Sequence, residues 1–163
     1  MVVTTGKDLV ILKVFMNYEP YKLNVNEECT RFQFQSVGKW GISEKVISFK
    51  PFSEKVYNLA LLDYDPNTGK ESDISVTDNG DLYEILATAM MVINLFLEKY
   101  PTEYIYFIGS IKSRTRLYQI SINKVYPHIK NNFIIFGLHN HEWRNFEPGL
   151  QCESFLIGKK ILT

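Results

Sequence analysis

Apolar and polar positions alternate most cleanly over Thr30–Val37, where Phe32 and Phe34 fall on one side and Arg31, Gln33 and Gln35 on the other. Period two with one wet face predicts an antiparallel strand. Gly38-Lys39-Trp40-Gly41 offers a hairpin connection, and Glu44–Lys50 alternates again, with Ile47 and Phe49 set opposite Lys45. Pro51 ends that strand or marks an edge. Val56–Leu62 is more continuously apolar, as expected of a central strand covered on both faces. Leu9–Met16, the stretch after Pro20 with Tyr21, Leu23 and Val25, and Ile74–Thr77 read as further short strands.

The second half changes period. Asp78-Asn79-Gly80-Asp81 supplies a cap, Asp78 or Asp81, with Glu84 placed as in a capping box. Ile85, Ala89, Val92, Ile93, Phe96 and Leu97 then form an apolar stripe at helical spacing, ending near Tyr100 before Pro101. Tyr104–Phe107 is a short strand, broken by Gly109-Ser110. A second helix over about 113–126 is capped by Ser110 or Ser113, turns Leu117 and Ile120 to the core with Ile122 and Val125 broadening that face, and is closed by Pro127. Phe133–Phe136 and Cys152–Ile157 read as strands, with His139–Gly149 a loop between them. This order predicts an α+β fold: a curved, mainly antiparallel sheet of about six or seven strands packed against two helices. No repeat, low-complexity tract or linker interrupts residues 1–163, so one domain is expected.

Composition sharpens this picture. Apolar residues are 45% of the 163 and aromatics 14%, which supports a packed core and excludes a disordered chain. Eighteen basic and eighteen acidic residues leave zero formal charge. No global field therefore draws nucleic acid or a membrane, and any anion site must be a local cluster. Two cysteines, Cys29 and Cys152, no signal-like start and no apolar run near the ~20 residues of a membrane span indicate free thiols, no membrane partner and a cytoplasmic location.

The candidate chemistry lies where Lys112, Arg114 and Arg116 crowd the start of the second helix. A helix dipole favours anions there, so three cations gain nothing from the helix itself. Backbone N–H groups at a helix start bind anions, and arginine adds a planar fork for phosphate or carboxylate. Ser110, Lys112, Arg114, Arg116 and Tyr118 are accordingly the candidate ligand-binding residues. Two positions apart, Arg114 and Arg116 diverge by about 200°. With Leu117 and Ile120 facing the core, Arg116 is expected on the sheet side with a fixed partner, and Arg114 becomes the ligand candidate. The competing reading has both arginines on structural carboxylates.

Of Asp63, Asp65, Asp73, Asp78 and Asp81, the first three could hold a divalent metal for phosphodiester hydrolysis, but Asp-Pro-Asn-Thr-Gly is a turn and Asn-Gly-Asp a helix start. His139, His141 and Cys152 supply too few ligands at the wrong spacing for zinc. Neither a metal nor a cofactor is expected. Tyr104, Tyr106 and Tyr118 are the aromatics of mixed exposure on which bases could stack.

Several stretches together resemble a domain-of-unknown-function family of small bacterial proteins found largely in Bacteroidetes. They are Phe32–Gly38, Lys45–Phe49, Val56–Leu59 leading into Asp63, Asn79-Gly80-Asp81, Leu86-Ala87-Thr88 and Tyr100-Pro101. Gly109-Ser110 with Arg114-Thr115-Arg116-Leu117-Tyr118 is the most specific part, and Phe146 and Phe155 fit its end. The resemblance covers roughly residues 17–158. It implies a compact α+β domain and points to Ser110, Arg114 and Arg116, but brings no reaction, cofactor or partner. Where relatives carry a small hydroxyl residue, this chain has Ile111. Similar chains begin near Asn17, which makes residues 1–15 an N-terminal extension or the product of an upstream start, with Met16 the alternative.

The sequence thus predicts an intracellular protein that binds a phosphate-containing ligand or a nucleic-acid segment through a local basic cluster. A metal-dependent phosphodiesterase or nuclease, and a protein-interaction module of a bacterial stress or defence operon, are the alternatives. Oligomeric state is left open.

Overall fold

The structure, a computed structural model, describes residues 17–73 and 79–161. The expected strands at Leu9–Met16 and Ile74–Thr77, the extension at residues 1–15 and the cap candidate Asp78 lie outside the described residues. Within them the strands are β1 (Asn24–Val25), β2 (Arg31–Gly38), β3 (Gly41–Ser53), β4 (Val56–Asp65), β5 (Lys70–Ser72), β6 (Tyr104–Phe107), β7 (Phe133–His139), β8 (Glu142–Asn145) and β9 (Phe155–Lys159). Helices α1 (Leu82–Lys99) and α2 (Lys112–Ile129) flank β6 in sequence.

The expected curved sheet of six or seven strands is corrected. The sheet has nine strands in the order β1-β2-β3-β4-β6-β9-β7-β8, with β5 on β4, and it is open: β1 and β8 are separate ends. The extra strands are short. β5 has 3 residues and β8 has 4, too few for a periodic signal. Antiparallel pairing dominates, and β4 with β6 is the parallel pair. Parallel neighbours need a long crossover, which α1 supplies.

The described residues divide into two compact units, one up to Lys50 together with those between Leu59 and Phe96, the other of Pro51–Asn58 with those from Leu97 onward. In the first, β2 and β3 pair from Gly38↔Gly41 outward. Gly41 has φ 95°, and a Cβ on Gly38 would lie 1.8 Å from the Asn79 carbonyl oxygen, so both glycines are required. Phe32, Phe34 and Ser36 are buried in turn along β2. Phe49 stacks on Phe96 of α1 at 4.1 Å between ring centroids. Burying such a ring contributes roughly 3 kcal/mol. Lys45 departs from expectation. It shares the face of Ile47 and Phe49, stands opposite Phe34 and is wholly buried, its charge met by Asp63 at 2.5 Å.

In the second unit α2 buries Ile122 and Val125, as expected, but joins them with Thr115, Gln119, Ser121 and Ile129 and not with Leu117 and Ile120. Ile120 is 48% exposed and Leu117 half-buried. The buried stripe was hidden because three of its members are polar. Thr115 Oγ1 accepts from the Gly109 N–H at 3.0 Å. Gln119 donates to the Leu150 carbonyl at 2.8 Å and accepts from the Cys152 N–H at 3.0 Å. These satisfied groups can be buried at little cost. Pro127 does not close the helix but sits inside its last turn. The expected loop at His139–Gly149 contains β8, joined to β7 by a two-residue turn with Asn140 at φ 49° and His141 at φ 66°. Two positive φ values match a hairpin turn to the strand twist.

Candidate functional site

The start of α2 is built by a close approach. β6 ends at Phe107, and a Cβ on Gly109 would lie 2.4 Å from the Thr115 amide nitrogen. Only glycine lets the chain pass under the first turn, where the Thr115 hydroxyl secures it. The N-cap is Ile111, in extended conformation, and no side chain caps the helix. Neither Ser110 nor Ser113 fills that expected role. The amides of Arg114 and Thr115 reach the Ile111 carbonyl at 3.1 and 3.2 Å. Those of Lys112 and Ser113 have no partner among the described residues and lie at an exposed corner. An uncapped helix start leaves such donors available to a ligand.

Arg114 is half-buried and donates from Nη1 to Ser110 Oγ at 2.7 Å. Lys112 and Arg116 are exposed, the first turn holds no acid, and none of the three cations forms an ion pair among the described residues. The assignment of Arg116 to the sheet side is therefore reversed: Arg116 points to solvent and Arg114 is the fixed one. Tyr118, one turn after Arg114, packs edge-on against Phe107 with ring centroids 6.1 Å apart. Burial raises its hydroxyl pKa, and the nearby Arg114 charge offsets part of that rise. The structure thus gathers Ser110, Arg114 and Tyr118 on one side of the helix start, with Lys112 and Arg116 projecting from its rim.

The candidate metal ligands do not assemble. Among the described residues no group of His, Cys, Asp or Glu is arranged to hold a metal ion. Asp63 is taken by Lys45, Asp65 accepts from the Asn67 N–H inside its turn, and His139 bonds the Gln151 carbonyl. Cys29 and Cys152 are free thiols, the latter with its pKa raised by burial. No helix among the described residues is long and apolar enough to cross a membrane.

A second polar cluster was not foreseen. Asp81, almost wholly buried ahead of α1, accepts at one oxygen from the Tyr21 hydroxyl at 2.6 Å and from the Ser36 hydroxyl. Its other oxygen is buried and has no partner among the described residues. Burial, then the bond to Asp81, push the Tyr21 pKa up to about 12. Asn79 holds the β2–β3 hairpin, accepting from the Lys39 and Trp40 amides at 3.0 and 2.8 Å. The available signal was Ser36, a hydroxyl in register with Phe32 and Phe34 on the core side of β2.

Comparison with known proteins supports the coarser part of the resemblance read from the sequence, a family of unknown function. The chain belongs to a family of unknown function, DUF6934, whose model matches residues 17–160. No curated protein and no solved structure matches it significantly.

Proposed function

We propose that this protein binds a phosphate-bearing small molecule at the start of α2. The observation that carries this reading is an uncapped helix start surrounded by three cations with no carboxylate partner among the described residues. Without an anion, Lys112, Arg114 and Arg116 oppose the dipole and one another. With a phosphate there, two free amides and the Arg114 guanidinium donate to its oxygens, while Lys112 and Arg116 screen its charge.

A single phosphate fits this one-turn site better than a nucleic-acid strand does. A strand needs a row of cations, whereas the chain has no net charge and the cluster is confined to one corner. The free thiols of Cys29 and Cys152 support a reducing compartment, the cytoplasm, as its setting. Crystals soaked in inorganic phosphate test the reading. Density within hydrogen-bond reach of the Lys112 and Ser113 amides and Arg114 is expected. Phosphate bound elsewhere, or nowhere, contradicts it.

A further inference from the structure

We propose that two copies of this chain associate through the free edge of β8. Strand β8 ends the sheet, and all four of its residues, Glu142-Trp143-Arg144-Asn145, are exposed. No described strand pairs with its outer side. Edge strands are usually guarded by brevity, proline or lysine. The opposite end, β1, is only 2 residues long, whereas β8 has 4 and lacks proline and lysine. It carries two charges of opposite sign, Glu142 and Arg144, which guard it only against a neighbour of unmatched charge.

Backbone phase decides what the edge offers. The Phe146 N–H donates to the Ile135 carbonyl at 2.9 Å, and the register continues as Gly137↔Arg144 and His139↔Glu142. Hydrogen-bonded pairs alternate along an antiparallel ladder, so these pairs point inward and the N–H and C=O of Trp143 and Asn145 point outward. A two-fold axis at Trp143 then sets Trp143 against the partner's Trp143 as a hydrogen-bonded pair.

That register makes the side chains self-complementary. Glu142 falls opposite the partner's Arg144, and Arg144 opposite the partner's Glu142, giving two reciprocal ion pairs on one face. Neither residue has an ion pair among the described residues. On the other face the two indoles come side by side. Each is 47% exposed and stands at the rim of an aromatic cluster in which Tyr106 packs against both Trp143 and the 62% exposed Phe52. An interface that is its own complement under a two-fold axis points to a second copy, not to an unrelated chain.

Sedimentation velocity of the full chain across concentration tests this. The wild-type protein is expected to shift from monomer to dimer as concentration rises. Glu142→Arg or Arg144→Glu alone places like charges opposite each other twice and weakens association by about tenfold or more. An equimolar mixture of the two single variants restores opposite charges in the mixed dimer and recovers association. A monomer at every concentration overturns the proposal, as does a dimer indifferent to both single variants. A mixture that fails to recover, with both variants folded by circular dichroism, overturns it too.

Discussion

Arg114 reaches back four residues to donate from its guanidinium to the Ser110 hydroxyl at 2.7 Å. This places a positive charge beside the open amides of α2, with one fork direction used and the others free. A neutral hydroxyl fixes the side chain without cancelling its charge, as a carboxylate would. The two arginines should therefore separate by function more than by stability. Arg114→Ala loses one exposed hydrogen bond and should cost under about 1 kcal/mol in stability. Its phosphate affinity should fall by roughly 1–3 kcal/mol. Arg116→Ala, at an exposed position, should cost under about 0.5 kcal/mol in stability and change affinity less than Arg114→Ala. Denaturant unfolding and calorimetric titration of both variants check this.

Gly109 sets the geometry of that corner. A methyl group there would meet the Arg114–Thr115 backbone and the Thr115 hydroxyl, so the loop must move and the Thr115 bond must break. Gly109→Ala should cost on the order of 2–4 kcal/mol and weaken anion binding together with stability. Loss of affinity with unchanged urea midpoint would show that the loop adapts.

Lys45 and Asp63 should respond unequally to truncation. The Lys45 side chain is 0% exposed, whereas that of Asp63 is 17% exposed and can be hydrated. Asp63→Ala strands a buried ammonium and should cost about 3–5 kcal/mol, while Lys45→Met, which leaves an accessible carboxylate, should cost clearly less. Chemical denaturation of the two variants gives the comparison.

Tyr21 gives the fold an alkaline limit. Its folded pKa is raised from 10.0 to about 12, so the neutral phenol is favoured in the native state. A raised folded value contributes stability that is complete below pH 10 and is lost as pH climbs through about 12. Tyr21→Phe removes this contribution. Between those limits its stability should fall less steeply with pH than that of the wild type, as measured by thermal melts in a pH series. Equal slopes would mean that the Tyr21–Asp81 bond does not couple to folding.

Legibility in the sequence followed the simplicity of the local rule. The β2–β3 hairpin could be read because Phe32 and Phe34 alternate and Gly38 and Gly41 bracket two residues. Helix α1 could be read because Ile85, Val92, Ile93 and Phe96 repeat at helical spacing and are buried as expected. Helix α2 was placed, but its faces were assigned from Leu117 and Ile120, whereas Thr115 and Gln119 are buried by bonds to the Gly109 loop and the Leu150–Cys152 segment. Partners that distant in sequence leave no periodic trace. β8 escaped notice because Glu-Trp-Arg-Asn is four exposed residues with a single apolar side chain, too little alternation to mark a strand. The basic cluster was visible as charge in an unusual place, and its lack of acidic partners among the described residues required the fold.

The most direct measurement is an amide-resolved NMR titration of the full chain with inorganic phosphate. Saturable shifts should centre on the Lys112, Ser113 and Arg114 amides and weaken by about tenfold or more in Arg114→Ala, with Arg116→Ala retaining them. Shifts absent from that corner, or unchanged by Arg114→Ala, would contradict an anion site at the start of α2.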